Sequence, residues 1–178
     1  AGEKARRRPY PVAMSAFDTP PDRQTRLLDA ARDDHFAEAV RLLRAGRLVA
    51  VPTETVYGLA ANAADPAAVR GIFAAKNRPG DHPLIVHLPD AGHLPRWAEG
   101  IPDAAWRLAE RFWPGPLTLL LRRAPQVDAT ATGGRDSIGL RVPAHPVLRR
   151  VLQALDGGLA APSANPYQRL SPTTAAQV

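Results

Sequence analysis

Five short apolar runs punctuated by proline and glycine constrain this chain most. They are Leu48–Val51 closed by Pro52, Pro83–Leu88, Leu117–Leu121 after Pro114-Gly115-Pro116, Ser137–Val142, and Leu159–Ala161 after Gly157-Gly158. Runs of this length suit buried strands and fall well short of a bilayer span. Amphipathic stretches lie between them. Phe36, Val40 and Leu43 mark one face of a helix from Asp34 to Gly46. Asp65-Pro66 forms an N-cap and first turn ahead of Ala67, Val69, Ile72 and Phe73. Asp103 is expected to cap a helix through Trp106, Leu108, Ala109 and Phe112. Pro146 opens another through Val147, Leu148, Val151, Leu152 and Leu155, and Ser171-Pro172 has the form of a further helix start. Several connections are long enough for parallel pairing, so the pattern predicts an α/β fold, a twisted mixed sheet with flanking helices.

The chain has 178 residues, 45% hydrophobic and 22% charged, which suits one globular domain. Residues 1–32 read as a flexible, proline-broken lead-in, and residues 33–178 as the domain. Without cysteine there are no disulfides and no thiolate metal sites. That is compatible with a reducing cytosol, and the cytoplasm is the expected compartment. Arg6, Arg7 and Arg8 hint at a mitochondrial leader, but their segment is short and broken by prolines. A net charge of +6 suits an anionic partner, nucleotide or RNA. The basic residues are dispersed, and no RNP-type strand, zinc finger or helix-turn-helix motif accompanies them.

Candidate chemistry gathers where apolar runs meet turns. Thr53, Glu54 and Thr55 follow a strand and offer two hydroxyls and a carboxylate; the plain alternative is a loop whose threonines cap local backbone. Lys76 and Arg78 follow the Asp65 helix and precede Pro79-Gly80. Two cations so spaced can face a polyphosphate, or can be a solvated helix C-terminus. His87 sits inside LIVHL, either a core histidine or a polar group reaching a site. Arg141 shares a strand face with Gly139 and needs an anion, from a ligand or from Asp136 or another side chain. Ser163 and Asn165 lie at a strand end, where α/β sheets bind ligands. Thr132-Gly133-Gly134-Arg135 is read as a surface turn in preference to a phosphate loop. His35, His93 and His145 read as surface or cap residues. No phosphate-loop, zinc or serine-nucleophile motif is present, so positioning and electrostatics are favoured over covalent catalysis.

Six of these segments, in order, resemble the Sua5/YrdC/YciO family of threonylcarbamoyl-AMP synthases. They are PTETVYGLA, the Lys76-x-Arg78 pair, HPLIVHL, FWPGPLTLLL, IGLRVPAHP, and APSAN with SPTTA. The resemblance covers residues 35–178 and implies a YrdC-like fold. It implies an enzyme joining L-threonine, bicarbonate and ATP into threonylcarbamoyl-adenylate and pyrophosphate. A partner complex then uses the product to modify adenosine 37 of tRNA. Mg²⁺ is implied too, held mainly by phosphates. By similarity Lys76 and Arg78 contact the triphosphate and act catalytically, Thr53, Ser163 and Asn165 surround the nucleotide, and Thr55, Arg78, His87 and Arg141 seat the amino acid or its carbamate.

Two departures stand out. The family usually continues SAN with a small serine-glycine-like pair, whereas this chain has Pro166-Tyr167-Gln168-Arg169-Leu170. The family's core also continues past SPTTA with strands bearing a serine-threonine pair and a late arginine, so the resemblance implies a domain truncated at its C-terminus. The competing readings are a related carbamoyl-adenylate enzyme for another amino acid, and a non-catalytic nucleotide- or RNA-binding module.

Overall fold

The computed structural model describes residues 25–178, so the three leader arginines and most of the expected lead-in lie outside the described residues. The helices are α1 (Asp33–Arg44), α2 (Pro66–Lys76), α3 (Leu94–Trp97), α4 (Asp103–Phe112) and α5 (Pro146–Leu155). The strands are β1 (Val49–Pro52), β2 (Tyr57–Asn62), β3 (Ile85–His87), β4 (Ala98–Glu99), β5 (Leu119–Arg123), β6 (Ser137–Arg141) and β7 (Leu159–Ala160). They form one sheet in the order β1-β2-β7-β3-β6-β5-β4. Only the β3–β6 pair is parallel among these, which makes the sheet mixed as expected.

Alternation along the strands sorts residues onto two faces. Val86, Ile138, Leu140 and Ala160 point into a core with Ala68, Val69, Ile72 and Phe73 of α2 and Leu94 and Trp97 of α3. Ala105 and Ala109 of α4 cover Leu119. On the opposite face, Val40 and Leu43 of α1 and Leu148, Val151 and Leu152 of α5 bury Val51, Ala60 and Leu159. This second helical layer covers the β1-β2-β7 end only. Along β3, β6 and β5 the face stays open, with Ile85 40% and Leu120 72% exposed.

Local chemistry explains the element ends. The Asp65 carboxylate accepts from the Ala67 and Ala68 amides at 2.9 and 3.2 Å, and Pro66 presets the first turn of α2. That helix ends on Asn77 in the left-handed conformation, φ 51°, with the Arg78 amide donating back to the Phe73 carbonyl at 2.9 Å. Gly46, at φ 71°, ends the α1 turn in the same way. Pro102, not Asp103, occupies the cap position of α4, and Asp103 is its first helical residue. The expected Leu117–Leu121 strand begins two residues later, since the Leu117 carbonyl is taken by the Trp113 indole at 2.7 Å. Ser171-Pro172 starts no α-helix. The Pro172 carbonyl accepts from the Tyr57 amide at 2.8 Å, and only a 3₁₀ turn at Ala175–Gln177 follows.

Of the two readings for His93, surface or cap, the second holds in position: it is the N-cap residue of α3, although its side chain makes no cap hydrogen bond. Its side chain is 12% exposed and lies between Asp90 at 2.9 Å and Asp156 at 3.0 Å, tying the entry of α3 to the end of α5. Among the described residues no helix is long and apolar enough to cross a membrane.

Candidate active site

The open face of the sheet becomes polar at the C-terminal ends of β3 and β6. Because these strands run parallel, their last residues, His87 and Arg141, are ladder partners on the same face. Two residues back, on the same face, lie Ile85 and Gly139, with Leu120 beyond. A side chain on Gly139 would meet the Thr118 methyl at 3.4 Å and Ile85 at 3.7 Å, so glycine keeps this part of the floor low.

Arg141 is held by two partners. Its Nε donates to the Gly115 carbonyl at 2.9 Å, and its Nη2 donates to Glu54 Oε1 at 2.6 Å. The same carboxylate oxygen accepts from the Ala144 amide at 2.8 Å. Burial pushes the Glu54 carboxyl up. The amides of Ala144 and of Glu54 itself, together with Arg141, outweigh this and hold it below the ordinary glutamate range. The protein anion facing Arg141 is therefore Glu54, 87 residues away, and not Asp136, which lies 3.9 Å from Arg123. Two donors of the Arg141 fork are thus engaged by the protein itself.

His87 is 6% exposed, and its Nδ1 has no hydrogen-bond partner among the described residues. Burial first, and the Arg141 charge second, push the imidazole down to about 4, so it is neutral near pH 7. The imidazole also interacts with the Ala161 backbone, which raises its pKa without offsetting burial.

Lys76 occupies the last turn of α2 and is only 3% exposed, which excludes the solvated-cap reading. Its ammonium donates to the backbone carbonyls of Ser163 and Asn165. Desolvation, and then the nearby Arg78 charge, lower its pKa. In this structure Lys76 therefore shapes the strand-end loop as well as supplying positive charge. Ser163 bridges to Gly58, and the Ala164 amide donates to the Tyr57 carbonyl at 2.7 Å, so that loop is stitched to β2. Asn165 is buried. Its Nδ2 donates to the Pro166 and Arg169 carbonyls at 2.8 and 2.9 Å, and its Oδ1 accepts from Ser171 at 3.1 Å.

Arg78 leaves the helix after the left-handed Asn77 and is half-buried. Its Nη2 donates to the Pro83 carbonyl at 3.2 Å, and its buried Nε has no partner among the described residues. Thr53 and Thr55 take plainer roles. Thr53 Oγ1 donates to the Val56 carbonyl at 2.5 Å and accepts from the Thr55 and Val56 amides at 3.3 Å, which makes the local cap described above. Thr55 is exposed. The turn at Thr132–Arg135 is not a free surface loop. Thr132 is buried, Arg135 Nη1 donates to the Asp81 carbonyl at 2.7 Å, and a side chain on Gly133 would come within 2.3 Å of that oxygen. It braces the loop that follows Arg78.

Glu54–Arg141–His87 thus forms one cluster, and Lys76–Ser163–Asn165 another, joined through the β2 hydrogen bonds of the 161–164 segment. Arg78 flanks the second. Sequence reasoning missed Glu54 as the partner of Arg141 and the contacts of Tyr167; each arises from long-range packing and has no local spacing signal. A recess of about 310 Å³ between α1 and α5, lined by Phe36, Val40, Arg41 and Arg44 among others, contains none of these groups.

The family model for Sua5, YciO and YrdC proteins, described as telomere recombination, matches residues 41–178. The chain belongs to the Sua5/YciO/YrdC family. Threonylcarbamoyl-AMP synthase of Pyrococcus abyssi is 49% identical over 140 residues, which cover 79% of this chain and 41% of that protein. The Bacillus subtilis synthase is 43% identical over 150 residues, 84% of this chain and 43% of the relative. Pyrococcus abyssi Sua5 complexed with L-threonine matches with a TM-score of 0.78 at 44% identity, over 85% of this chain and 44% of that one. Escherichia coli YciO matches at 0.65 and 26% identity, over 74% and 64%. This Sua5/YciO/YrdC chain spans about two fifths of the length of the two curated synthases.

Proposed function

We propose that this family domain carries the adenylate-forming site of a threonylcarbamoyl-AMP synthase. One observation carries the reading: an open sheet face on which parallel strand ends set a neutral imidazole beside a guanidinium, with two further cations at the adjoining helix end. The likeness to Pyrococcus abyssi Sua5, a structure complexed with L-threonine, supports threonine as the amino acid.

In this proposal the threonine carboxylate takes the unengaged donors of Arg141. Neutral His87 can accept a hydrogen bond from the substrate's nitrogen, which a protonated imidazole could not. The amine attacks CO₂ derived from bicarbonate, with loss of water, and forms an N-carboxy group. An oxygen of that group attacks the α-phosphorus of ATP, the bond from the α-phosphorus to the bridging oxygen breaks, and pyrophosphate leaves. Arg78 faces the triphosphate, and Lys76 adds positive potential while holding the loop of Ser163 and Asn165 around the nucleotide. The site's work is to bring mutually repelling anions together, which calls for fixed cations more than for proton transfer. Glu54 is already engaged by Arg141 and Ala144. Mg²⁺ enters this proposal as a counter-ion carried by the phosphates. The product is passed to a tRNA-modification complex for adenosine 37, with the cytoplasm as the proposed compartment.

The test is pyrophosphate release by the purified protein with ATP, Mg²⁺, bicarbonate and each amino acid in turn. Release that needs both threonine and bicarbonate is expected, and Arg78→Ala should lower it at least about tenfold. Release with a different amino acid would assign the site to a related carbamoyl-adenylate reaction. RNA binding without turnover would replace the enzyme reading with that of a binding module.

A further inference from the structure

The segment Pro166–Leu170 lies against the cationic end of the site. Asn165 fixes it from within through the Pro166 and Arg169 carbonyls, and Gln168 turns it at φ 61°, a left-handed conformation that side chains adopt at a cost. The Tyr167 amide donates to the Lys76 carbonyl at 2.8 Å, so the segment is pinned to the last turn of α2. The Tyr167 ring lies beneath the Arg78 guanidinium, with Cζ 5.9 Å from the ring centroid. The tyrosine hydroxyl meets His82 Nδ1 at 3.2 Å, and the two rings pack edge to face with centroids 5.6 Å apart.

Arg78 has few other restraints. Its one hydrogen bond among the described residues is the 3.2 Å contact to the Pro83 carbonyl, and its Nε is buried without a partner. A long, flexible side chain held by one such bond would sample several rotamers. An aromatic ring whose centroid lies 5.9 Å from Cζ attracts the cation to its π-face and so narrows the positions the guanidinium favours. The His82 contact ties the ring to the loop that carries Arg78, so ring and cation are held as a unit.

We infer that Tyr167 is a positioning residue that presets Arg78 for the triphosphate of the nucleotide substrate. The inference rests on the proposed reading of Arg78 as a triphosphate contact. Tyr167 itself need not touch ligand. Its effect on nucleotide binding passes through the guanidinium.

Equilibrium titrations with ATP and, separately, with L-threonine test this in the parent protein and in Tyr167→Phe, Tyr167→Leu, Tyr167→Ala, Arg78→Ala and Tyr167→Ala/Arg78→Ala. Losing the ring should weaken ATP binding about five- to tenfold and leave threonine binding unchanged, while Tyr167→Phe should stay within about twofold of the parent. The double variant should bind ATP no more weakly than Arg78→Ala alone. Tyr167→Leu fills the space without a π-face, so it carries the comparison if the alanine variant does not fold. Parent-like ATP binding in both Tyr167→Leu and Tyr167→Ala, with Arg78→Ala impaired, would overturn the inference alone. Equal weakening of threonine and ATP would also overturn it, marking Tyr167 as merely structural. Parent-like ATP binding by Arg78→Ala would instead overturn the triphosphate reading beneath it.

Discussion

His87 offers the sharpest physical test, because one buried imidazole should leave a distinct mark on the pH dependence of stability. In the folded protein its pKa is pushed down to about 4 by burial and by Arg141 beside it. In the unfolded chain it returns to about 6.5. A depressed folded pKa stabilises the fold above the unfolded value, and that contribution is lost as pH falls through the window from about 6.5 to about 4. At about pH 5 the lost share is RT ln[(1 + 10^1.5)/(1 + 10^−1)], or about 2 kcal/mol. The perturbation is His87→Leu, which cannot titrate and suits a position paired with the buried Leu159. Urea unfolding of parent and variant at about pH 7.5 and about pH 5 gives two stability gaps, and comparing the gaps largely removes the carboxylates common to both proteins. The parent should lose about 2 kcal/mol relative to His87→Leu on acidification. A gap that stays constant within about 0.5 kcal/mol would refute the argument, since it would mean that the folded imidazole takes up protons as readily as the unfolded one.

Lys76→Met replaces a buried ammonium with an apolar chain of similar length and strips a donor from two backbone carbonyls. It should lower stability by about 2 kcal/mol or more in the same urea assay, and a parent-like midpoint would show that those carbonyls do not depend on the ammonium. His93 has the opposite pH signature to His87. Burial pushes its imidazole down, but hydrogen bonds to Asp90 and Asp156 outweigh that and raise it above the ordinary value. Its contribution is fully present below about pH 6.5 and is lost as pH rises through the raised pKa, so the parent should gain stability over His93→Gln between about pH 8.5 and about pH 5.5. Thermal melts at the two pH values check this, and parallel behaviour would remove His93 as a clamp.

What could be read in advance was what is local. Asp65-Pro66 announced its cap because a carboxylate one residue before a helix reaches two unpaired amides whatever the tertiary context. The mixed sheet followed from apolar runs bounded by turn residues. β2 was not legible: YGLAAN lacks the β-branched residues that signal a strand, and it is one only because β1 and β7 pair with its two edges. The candidate site could be proposed from the sequence as a list of residues, in which Thr53 proves a local cap and Thr55 an exposed position, but not as a wiring diagram. That Arg141 meets Glu54, or that Lys76 anchors two carbonyls instead of facing water, depends on packing between distant segments. The bulky Pro166–Leu170 stretch stood out as unusual, yet its contact with Arg78 becomes visible only when the turn at Gln168 is seen.

The wiring also dictates when the site can exist. Its main connections close loops of 87 residues, from Glu54 to Arg141 and from Lys76 to Ser163, and of 89 from Lys76 to Asn165. During synthesis α2 can form early, but its lysine has no acceptors until the chain has grown past Asn165. Such long closures are made late because their entropy must be met before any contact rewards it. A nascent chain therefore carries the cations long before it carries the assembled cluster. On the proposed reading, a nucleotide bound to the finished cluster would favour the fully folded chain over every partly folded one, and would act on its yield as well as on its stability.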